Sequence, residues 1–185
     1  MQQLPELPIV TQRLLLRPFM RGDVDAVFAY RRREDVARFL ADGPMTREAC
    51  AEAVQQRAGQ VGFVAEGDRV TLAMVRREDD VLIGEIMLIW QNAPARQAEL
   101  GYILNPDFQG RGYATEAGNA MLALGFGPFA LHRIYARCNT LNAASYAVME
   151  RLGMQREAHF RQVRMVRGAW EDEYVYAVLW NEWPG

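Results

Sequence analysis

The chain has 185 residues, half of them apolar, enough for one domain with a sizeable core and short for two. Its formal net charge of −2 leaves no broad basic footprint for nucleic acid. All 21 basic residues are arginine, in keeping with GC-rich coding, and the one basic run, Arg31-Arg32-Arg33, is followed at once by Glu34 and Asp35, as on a solvated helix face.

In chain order, Leu14 to Arg17 reads as a first strand bounded by Pro18. Asp23 is placed to cap a helix through Val24, Val27, Phe28 and Arg31, and Thr46 to cap a second, with Ala49, Cys50, Ala53, Val54 and Arg57 at helical spacing. Val70 to Arg76 and Val81 to Trp90 read as two strands of a hairpin turning at Glu78-Asp79-Asp80. Gln97 to Leu104 is the next strand, closed by the breakers Asn105-Pro106. A helix from Thr115 to Leu124 ends at Gly127-Pro128, a short strand covers Ile134 to Cys138, and Ala143 to Leu152 is a helix with Gly153 just past its end. Gln155 to Val163 and Tyr174 to Trp180 close the chain as paired strands. The order β-α-α-β-β-β-α-β-α-β-β predicts an α+β fold with a mixed sheet, not a run of βαβ units. No repeat or interdomain linker interrupts it, so residues 1–185 are expected to form a single domain.

Cys50, Cys138, His132 and His159 sit in no metal-ligand spacing; no metal is expected, and the cysteines read as buried free thiols of a reducing cytosol. Pro5, Glu6 and Pro8 replace the basic and apolar regions of a signal peptide. The longest apolar run, Met121 to Leu131, is broken by Gly125, Gly127 and Pro128 and falls short of the roughly 20 residues a membrane span needs. The expectation is a cytoplasmic protein with no membrane or nucleic-acid partner.

The most informative stretch is Gln109-Gly110-Arg111-Gly112-Tyr113-Ala114, between the strand ending at Leu104 and the helix opening at Thr115. A Gly-rich turn into a helix aims unpaired N–H groups and the positive end of the helix dipole at one point, which suits a phosphate or pyrophosphate. Glycines admit close approach of the backbone, and Arg111 adds a charged fork. A dinucleotide fingerprint would need a third glycine where Thr115 stands, and a P-loop needs a lysine the chain lacks.

Gln109-x-x-Gly112-x-Ala114 resembles the coenzyme A pyrophosphate signature of the GNAT N-acetyltransferase superfamily. Thr11-x-Arg13-Leu14-x-Leu16-Arg17-Pro18, Glu99-Leu100-Gly101-Tyr102, Gly112-Tyr113-Ala114-Thr115-Glu116-Ala117, Asn142-Ala143-Ala144-Ser145 with Glu150-Arg151-Leu152-Gly153-Met154, and Asp172 to Trp180 resemble successive elements of its RimJ/RimL-like branch, the relatives of ribosomal-protein N-acetyltransferases. The resemblance implies a three-layer fold with a mixed, mostly antiparallel sheet, splayed between two parallel central strands, and helices on both faces. Acetyl-CoA would lie in the splay as cosubstrate. It implies transfer of acetyl to a primary amine, either a protein N-terminus or a small amine such as a polyamine, an amino acid or an antibiotic, by direct attack. Dimers are frequent in that superfamily, so a homodimer is among the expectations.

Acylation of an amine needs a neutral nucleophile, a thioester held in line, an oxyanion donor and a route for the leaving thiolate. Tyr102, Ile103 and Leu104 are expected to pair with the pantetheine amides as a pseudo-strand, with a backbone N–H facing the oxyanion. Gln109, Gly110, Arg111, Gly112, Tyr113, Ala114 and Thr115 would hold the pyrophosphate. Asn142 matches the coenzyme-contacting Asn of the family and also suits a helix N-cap. Many members place a Tyr seven residues beyond that Asn to protonate the thiolate. Here it is Met149. The RimJ/RimL-like branch instead places a Ser three residues beyond the Asn, and the resemblance thus makes Ser145 the expected donor of a hydrogen bond or a proton, ahead of the adjacent Tyr146. Glu99, or Glu85 on the neighbouring strand, is the expected base, acting through water, with solvent as the alternative. Asp172 and Glu173 could hold a cationic acceptor or lie in a solvated turn. Met149 also leaves open a non-catalytic acyl-CoA sensor or partner-binding module, with a nucleotide-binding module behind it.

Overall fold

The computed structural model describes residues 5–184. Its strands are β1 (Ile9–Val10), β2 (Leu14–Arg17), β3 (Arg69–Arg76), β4 (Val81–Asn92), β5 (Gln97–Leu104), β6 (Arg133–Asn139), β7 (Gln155–Val166) and β8 (Ala169–Leu179). Its helices are α1 (Val24–Arg31), α2 (Glu34–Ala37), α3 (Arg47–Ala58), α4 (Tyr113–Phe126) and α5 (Ala143–Arg151). One sheet carries all the strands in the order β1-β2-β3-β4-β5-β6-β8-β7, antiparallel throughout except for β5 and β6.

Strand alternation divides the core into two layers of packing. Leu72 and Met74 of β3, Ile86 and Leu88 of β4 and Leu100 of β5 face α4 and α5, where Met121, Leu122 and Val148 meet them. Ala73 and Val75 face the other way, onto Val27 and Tyr30 of α1 and Cys50 and Val54 of α3. The result is helix, sheet, helix, as expected. Among the described residues, no helix is long and apolar enough to cross a membrane.

The structure departs from the sequence reading at several elements: α2 is a further short helix, α4 opens two residues earlier than Thr115, and β7 runs past Val163 to Val166. β1, a two-residue strand, pairs with Leu15 and Leu16 and is too short to show a period. β8 begins at Ala169, so Trp170 to Glu173 is strand and not a solvated turn; it pairs with β7 through a tight turn at Arg167 and Gly168, both with positive φ (48° and 82°), which matches the twist of a two-residue hairpin. Asp23 precedes α1 but does not cap it: its carboxylate accepts the Met20 N–H at 2.8 Å and the Arg17 fork at 2.7 and 2.8 Å. Thr46 does cap α3, accepting the Ala49 N–H at 3.2 Å.

The approach of β4 to β5 is set by Gly84, where a Cβ would fall 2.4 Å from the Ile103 carbonyl oxygen and 2.6 Å from Met74 Cε. The methionine end can move and the backbone carbonyl cannot. Gly84→Ala is therefore expected to lower stability by about 1–3 kcal/mol, read as a shifted urea midpoint at unchanged m-value.

Candidate active site

β5 and β6 pair in parallel only at Gln97–Glu99 and Arg133–Tyr135. Beyond these residues the strands separate, and a cleft of about 900 Å³ opens through the sheet, lined from both faces. The direction of the backbone groups on its β5 wall follows from the ladder. The Asn105 N–H donates to the Ile83 carbonyl at 2.8 Å. Because antiparallel pairs alternate, Ile103 is committed to β4 while Tyr102 and Leu104 turn their N–H and C=O groups toward the splay. The Ile103 carbonyl lies against Gly84, as this requires. Of the three residues expected to meet a pantetheine chain, two therefore offer backbone groups, and Ile103 contributes its side chain to the wall.

After β5, a turn of 3₁₀ helix (Pro106–Phe108) leads into the glycine loop. Gly110 and Gly112 both have positive φ, 73° and 80°, which a side chain would strain. Gly112 stands just before α4, and Glu116 is the first residue of the helix whose N–H finds an acceptor, the Gly112 carbonyl at 3.0 Å. The N–H groups of Tyr113, Ala114 and Thr115 thus point out of the helix end with its dipole behind them. Gln109 reaches back to the Leu104 carbonyl at 3.3 Å, which ties the loop to the splayed strand. Gly110, Gly112, Tyr113, Ala114 and Thr115 all line the cleft. Arg111 does not: its guanidinium sits 5.9 Å from the Phe108 ring, and its carbonyl accepts from Arg13 at 2.9 Å. The charged group on the cleft wall near this point is Arg151 at the end of α5, whose Nε donates to Thr115 Oγ1 at 3.3 Å.

A clamp unseen in the sequence holds the start of α4. Glu116 accepts from Thr11 Oγ1 at 2.6 Å and from the Arg13 backbone and Nε at 2.7 Å each. Arg13 also lies 4.6 Å from the centre of the Tyr113 ring. Thr11 and Arg13 carry the opening motif, but nothing in its spacing names a partner more than a hundred residues away.

On the α4/α5 face, Asn142 caps α5, its side-chain oxygen accepting the Ser145 N–H at 3.2 Å. Ser145 lines the cleft with its Oγ 3.1 Å from Tyr102 Oη, and the phenol donates to the Ser145 carbonyl at 2.8 Å. Burial pushes the Tyr102 phenol well above its ordinary value, against a smaller opposing pull from its bond to Ser145. Burial also pushes the Cys138 thiol up to about 11, again opposed by a hydrogen bond with Ser145. Met149 is buried on the same wall. Tyr146 turns away and packs edge-on against Tyr174 at 5.9 Å. The side chain of Tyr102 is the group sequence reasoning missed, because a strand tyrosine reads as core.

The two carboxylates expected as bases have different fates. Glu99 lies on the cleft wall, bound by Arg137 through two contacts of 3.0 Å and by the Tyr135 hydroxyl at 3.4 Å. Glu85 is fully buried beneath α1 and α3, held by Arg57 at 2.7 Å and Arg31 at 3.4 Å, and has no path to an acceptor. The expectation for Glu85 is thus replaced by a structural role, its charge neutralised inside the helix layer. Asp172 is tied to His159 and the Gln162 N–H, both at 2.9 Å, away from the cleft. Glu173 is buried in β8 between Arg137 at 3.8 Å and Arg164 at 3.6 Å. No group of three or more His, Cys, Asp or Glu side chains among the described residues is arranged to hold a metal ion.

A family model for the acetyltransferase (GNAT) domain matches residues 13–155. The chain is 35% identical over 175 residues to the uncharacterized N-acetyltransferase YnaD of Bacillus subtilis, spanning 95% of this chain and 98% of that one. It is 30% identical over 87 residues, 46% of this chain and 45% of the other, to the ribosomal protein uS5-alanine N-acetyltransferase of Escherichia coli. Among solved structures, a GNAT-family acetyltransferase from Bacillus anthracis superposes with a TM-score of 0.84 at 34% identity, covering 94% of this chain and 99% of that one.

Burial opposes the charge of Glu116, but its bonds from Thr11 and Arg13 outweigh it and hold the carboxyl below its ordinary value. Such a group adds stability above the ordinary carboxylate range and loses it as pH falls through the lowered value. Glu116→Gln is expected to melt below the wild type at neutral pH, with the gap closing as the pH falls below the ordinary carboxylate range. The variant is also expected to bind acetyl-CoA more weakly, as calorimetry would show. A gap that persists in acid would mean that the Glu116 charge is not what holds the clamp.

Proposed function

The chain belongs to the GNAT family of N-acetyltransferases, and from that premise we propose that it moves acetyl from acetyl-CoA to a primary amine by direct attack in a ternary complex at the β5–β6 splay. The observation that carries this reading is convergence. Outward backbone groups of Tyr102 and Leu104, free N–H groups at the start of α4, and the Ser145 hydroxyl all open into one cleft.

The loop's free N–H groups and Arg151 suit the pyrophosphate, and the positive φ of Gly110 and Gly112 keeps Cβ atoms out of that contact. Tyr102 and Leu104 extend the sheet onto the pantetheine amides. This places the thioester where the strands part, with Ser145 on the α5 side and Glu99 on the α1 side. The amine nitrogen attacks the thioester carbon, and the Tyr102 N–H stabilises the oxyanion. As the C–S bond breaks, Ser145 Oγ donates a hydrogen bond to the departing sulfur, which leaves as a thiolate because a thiol pKa near ~8.5 makes it a tolerable leaving group. The amine proton leaves through water to Glu99. The step follows the amine's own loss of its proton, near pH ~8 for an α-amine.

Ser145→Ala is expected to lower kcat by up to about 10²-fold, since the hydrogen bond it removes serves a thiolate that is already a tolerable leaving group. Its Kd for acetyl-CoA should stay within about twofold of wild type, since the backbone and loop contacts remain. Thiol release and calorimetry measure the two quantities. A variant that turns over like wild type would remove Ser145 from the chemistry.

A further inference from the structure

The α1 side of the cleft is covered by a segment that the core holds only at its edges. α2 and the turn after it present Val36, Phe39, Leu40 and Ala41 to the cleft. Val36 packs on the core under α1 and α3, but Phe39 and Leu40 belong to neither core cluster. From Arg38 to Thr46 the chain forms neither helix nor strand. Its far end is fastened to the helix layer. There the Met45 N–H donates to the Arg31 carbonyl at 3.0 Å, and Asp42 meets the Arg31 guanidinium at 3.4 Å.

The near end is fastened from across the cleft. α2 is one turn long, so carbonyls at its end look outside the helix for donors. Arg167, at the tip of the β7–β8 hairpin, donates through Nη2 to the Ala37 and Arg38 carbonyls at 3.1 and 3.3 Å. Two ion pairs lie alongside, Arg167 with Glu34 at 3.7 Å and Arg33 with Asp107 at 2.9 Å. Their carboxylates are 80% and 65% exposed, and pairs so open to water hold little. The bonds to the carbonyls grip the backbone itself.

Arg167 also occupies a position that its backbone does not favour. With Gly168 it makes the two-residue turn of the hairpin, at φ of 48° and 82°. Such a turn needs positive φ at both residues, and Asn followed by Gly suits it. Gly168 conforms. Arg167 has a Cβ and no short polar group to bond its own backbone, so the conformation is strained. A turn serving only to close the hairpin would be better made with asparagine. What arginine adds is reach to the α2 carbonyls.

Resting on the acetyl-transfer reading above, we infer that Arg167 is a positioning residue, which fastens the α2 turn over the cleft and so sets the wall against which the amine is held. Arg167 itself stands outside the cleft lining and acts through Phe39 and Leu40. The glycine loop, Tyr102 and Ser145 make no contact with the strap, so its loss falls on the amine and not on acetyl-CoA. The class of the amine does not enter.

Arg167→Asn separates this role from a structural one. Asparagine suits the turn and is too short to reach the α2 carbonyls, so the hairpin stays formed and the strap is lost. The variant is expected to melt no lower than the wild type and to bind acetyl-CoA with a Kd within about twofold of it by calorimetry. Chymotryptic cleavage after Phe39, followed by mass spectrometry with acetyl-CoA saturating, is expected to run about fivefold faster, because the open turn is more populated. Thiol release with Leu-Gly-Gly and with spermidine as amine probes is expected to show KM for the better probe raised severalfold and KM for acetyl-CoA unchanged. Arg167→Lys, which keeps a long donor, should recover part of both effects. Cleavage at the wild-type rate in Arg167→Asn overturns the strap, and so does a large fall in melting temperature, which would make Arg167 a hairpin residue. Faster cleavage with an unchanged KM for the amine overturns the positioning role. The cleavage readout needs no amine, so failure to acetylate either probe, which counts against the transfer reading, is distinct from failure of the strap.

Discussion

An N–H or C=O group left unpaired inside a sheet costs about 1–3 kcal/mol when it is also shut away from water. The strands β5 and β6 accept that exposure at the centre of the molecule. They pair over three residues each and then part, so Tyr102 and Leu104 face the opening with no strand opposite. An edge strand meets the same problem at the rim, where water is plentiful. Here the gap is central, and what surrounds it keeps the strands apart. The Tyr102 side chain is anchored on α5, Gln109 ties the loop to the Leu104 carbonyl, and Arg137 bridges β6 to Glu99 of β5 at the point of divergence. In the proposed function, a peptide-like ligand supplies the missing ladder to Tyr102 and to the Leu104 N–H, the Leu104 carbonyl already accepting from Gln109.

The two faces of the sheet deal differently with charge, and this separates structure from chemistry. Under α1 and α3, Glu85 is buried between Arg31 and Arg57. Burying such a group is tolerable only because it is paired, and removing either side would leave the other uncompensated. Two residues further along β4, Met87 opens the same face to the cleft opposite Gly101, and Glu99, two residues before Gly101 on β5, keeps some exposure. The passage from sealed ion cluster to accessible cleft therefore happens within one turn of strand pleat. α2 and its following turn cover the outer part of this face, where α1 and α3 do not reach.

The sequence showed the elements whose signals are local. Thr46 and Asn142 cap the helices they precede, the glycine loop joins strand to helix, and β5 ends at Leu104 before its two breakers. It did not show features that depend on distant partners. Asp23 has the spacing of a cap but takes Arg17, because a guanidinium fork is a stronger partner than one N–H. Glu85 and Glu99 lie on adjacent strands of similar composition, and only the third dimension buries one and opens the other. The Thr11–Arg13–Glu116 clamp and the Arg167 strap join segments more than a hundred residues apart. Arg111 has the charged fork that suits a phosphate, yet its guanidinium lies against Phe108 and Arg151 stands at the cleft wall.

Met149 occupies the position where many relatives of this fold carry a phenol, and the structure supplies a phenol from another element. Tyr102 has one proton to donate and gives it to the Ser145 carbonyl at 2.8 Å. The two hydroxyls also meet at 3.1 Å, a contact in which either can donate. In the proposed function, the Ser145 hydroxyl needs only a turn about one bond to face a departing sulfur. Burial keeps the tyrosine protonated across the working range, so this arrangement does not titrate away. A serine alone would be free to turn its proton to the carbonyl one helical turn back, a habit of helix serines. The phenol offers the Ser145 hydroxyl a partner that competes with that habit. In the proposed function, the donor then stands on a helix and its alignment comes from a strand.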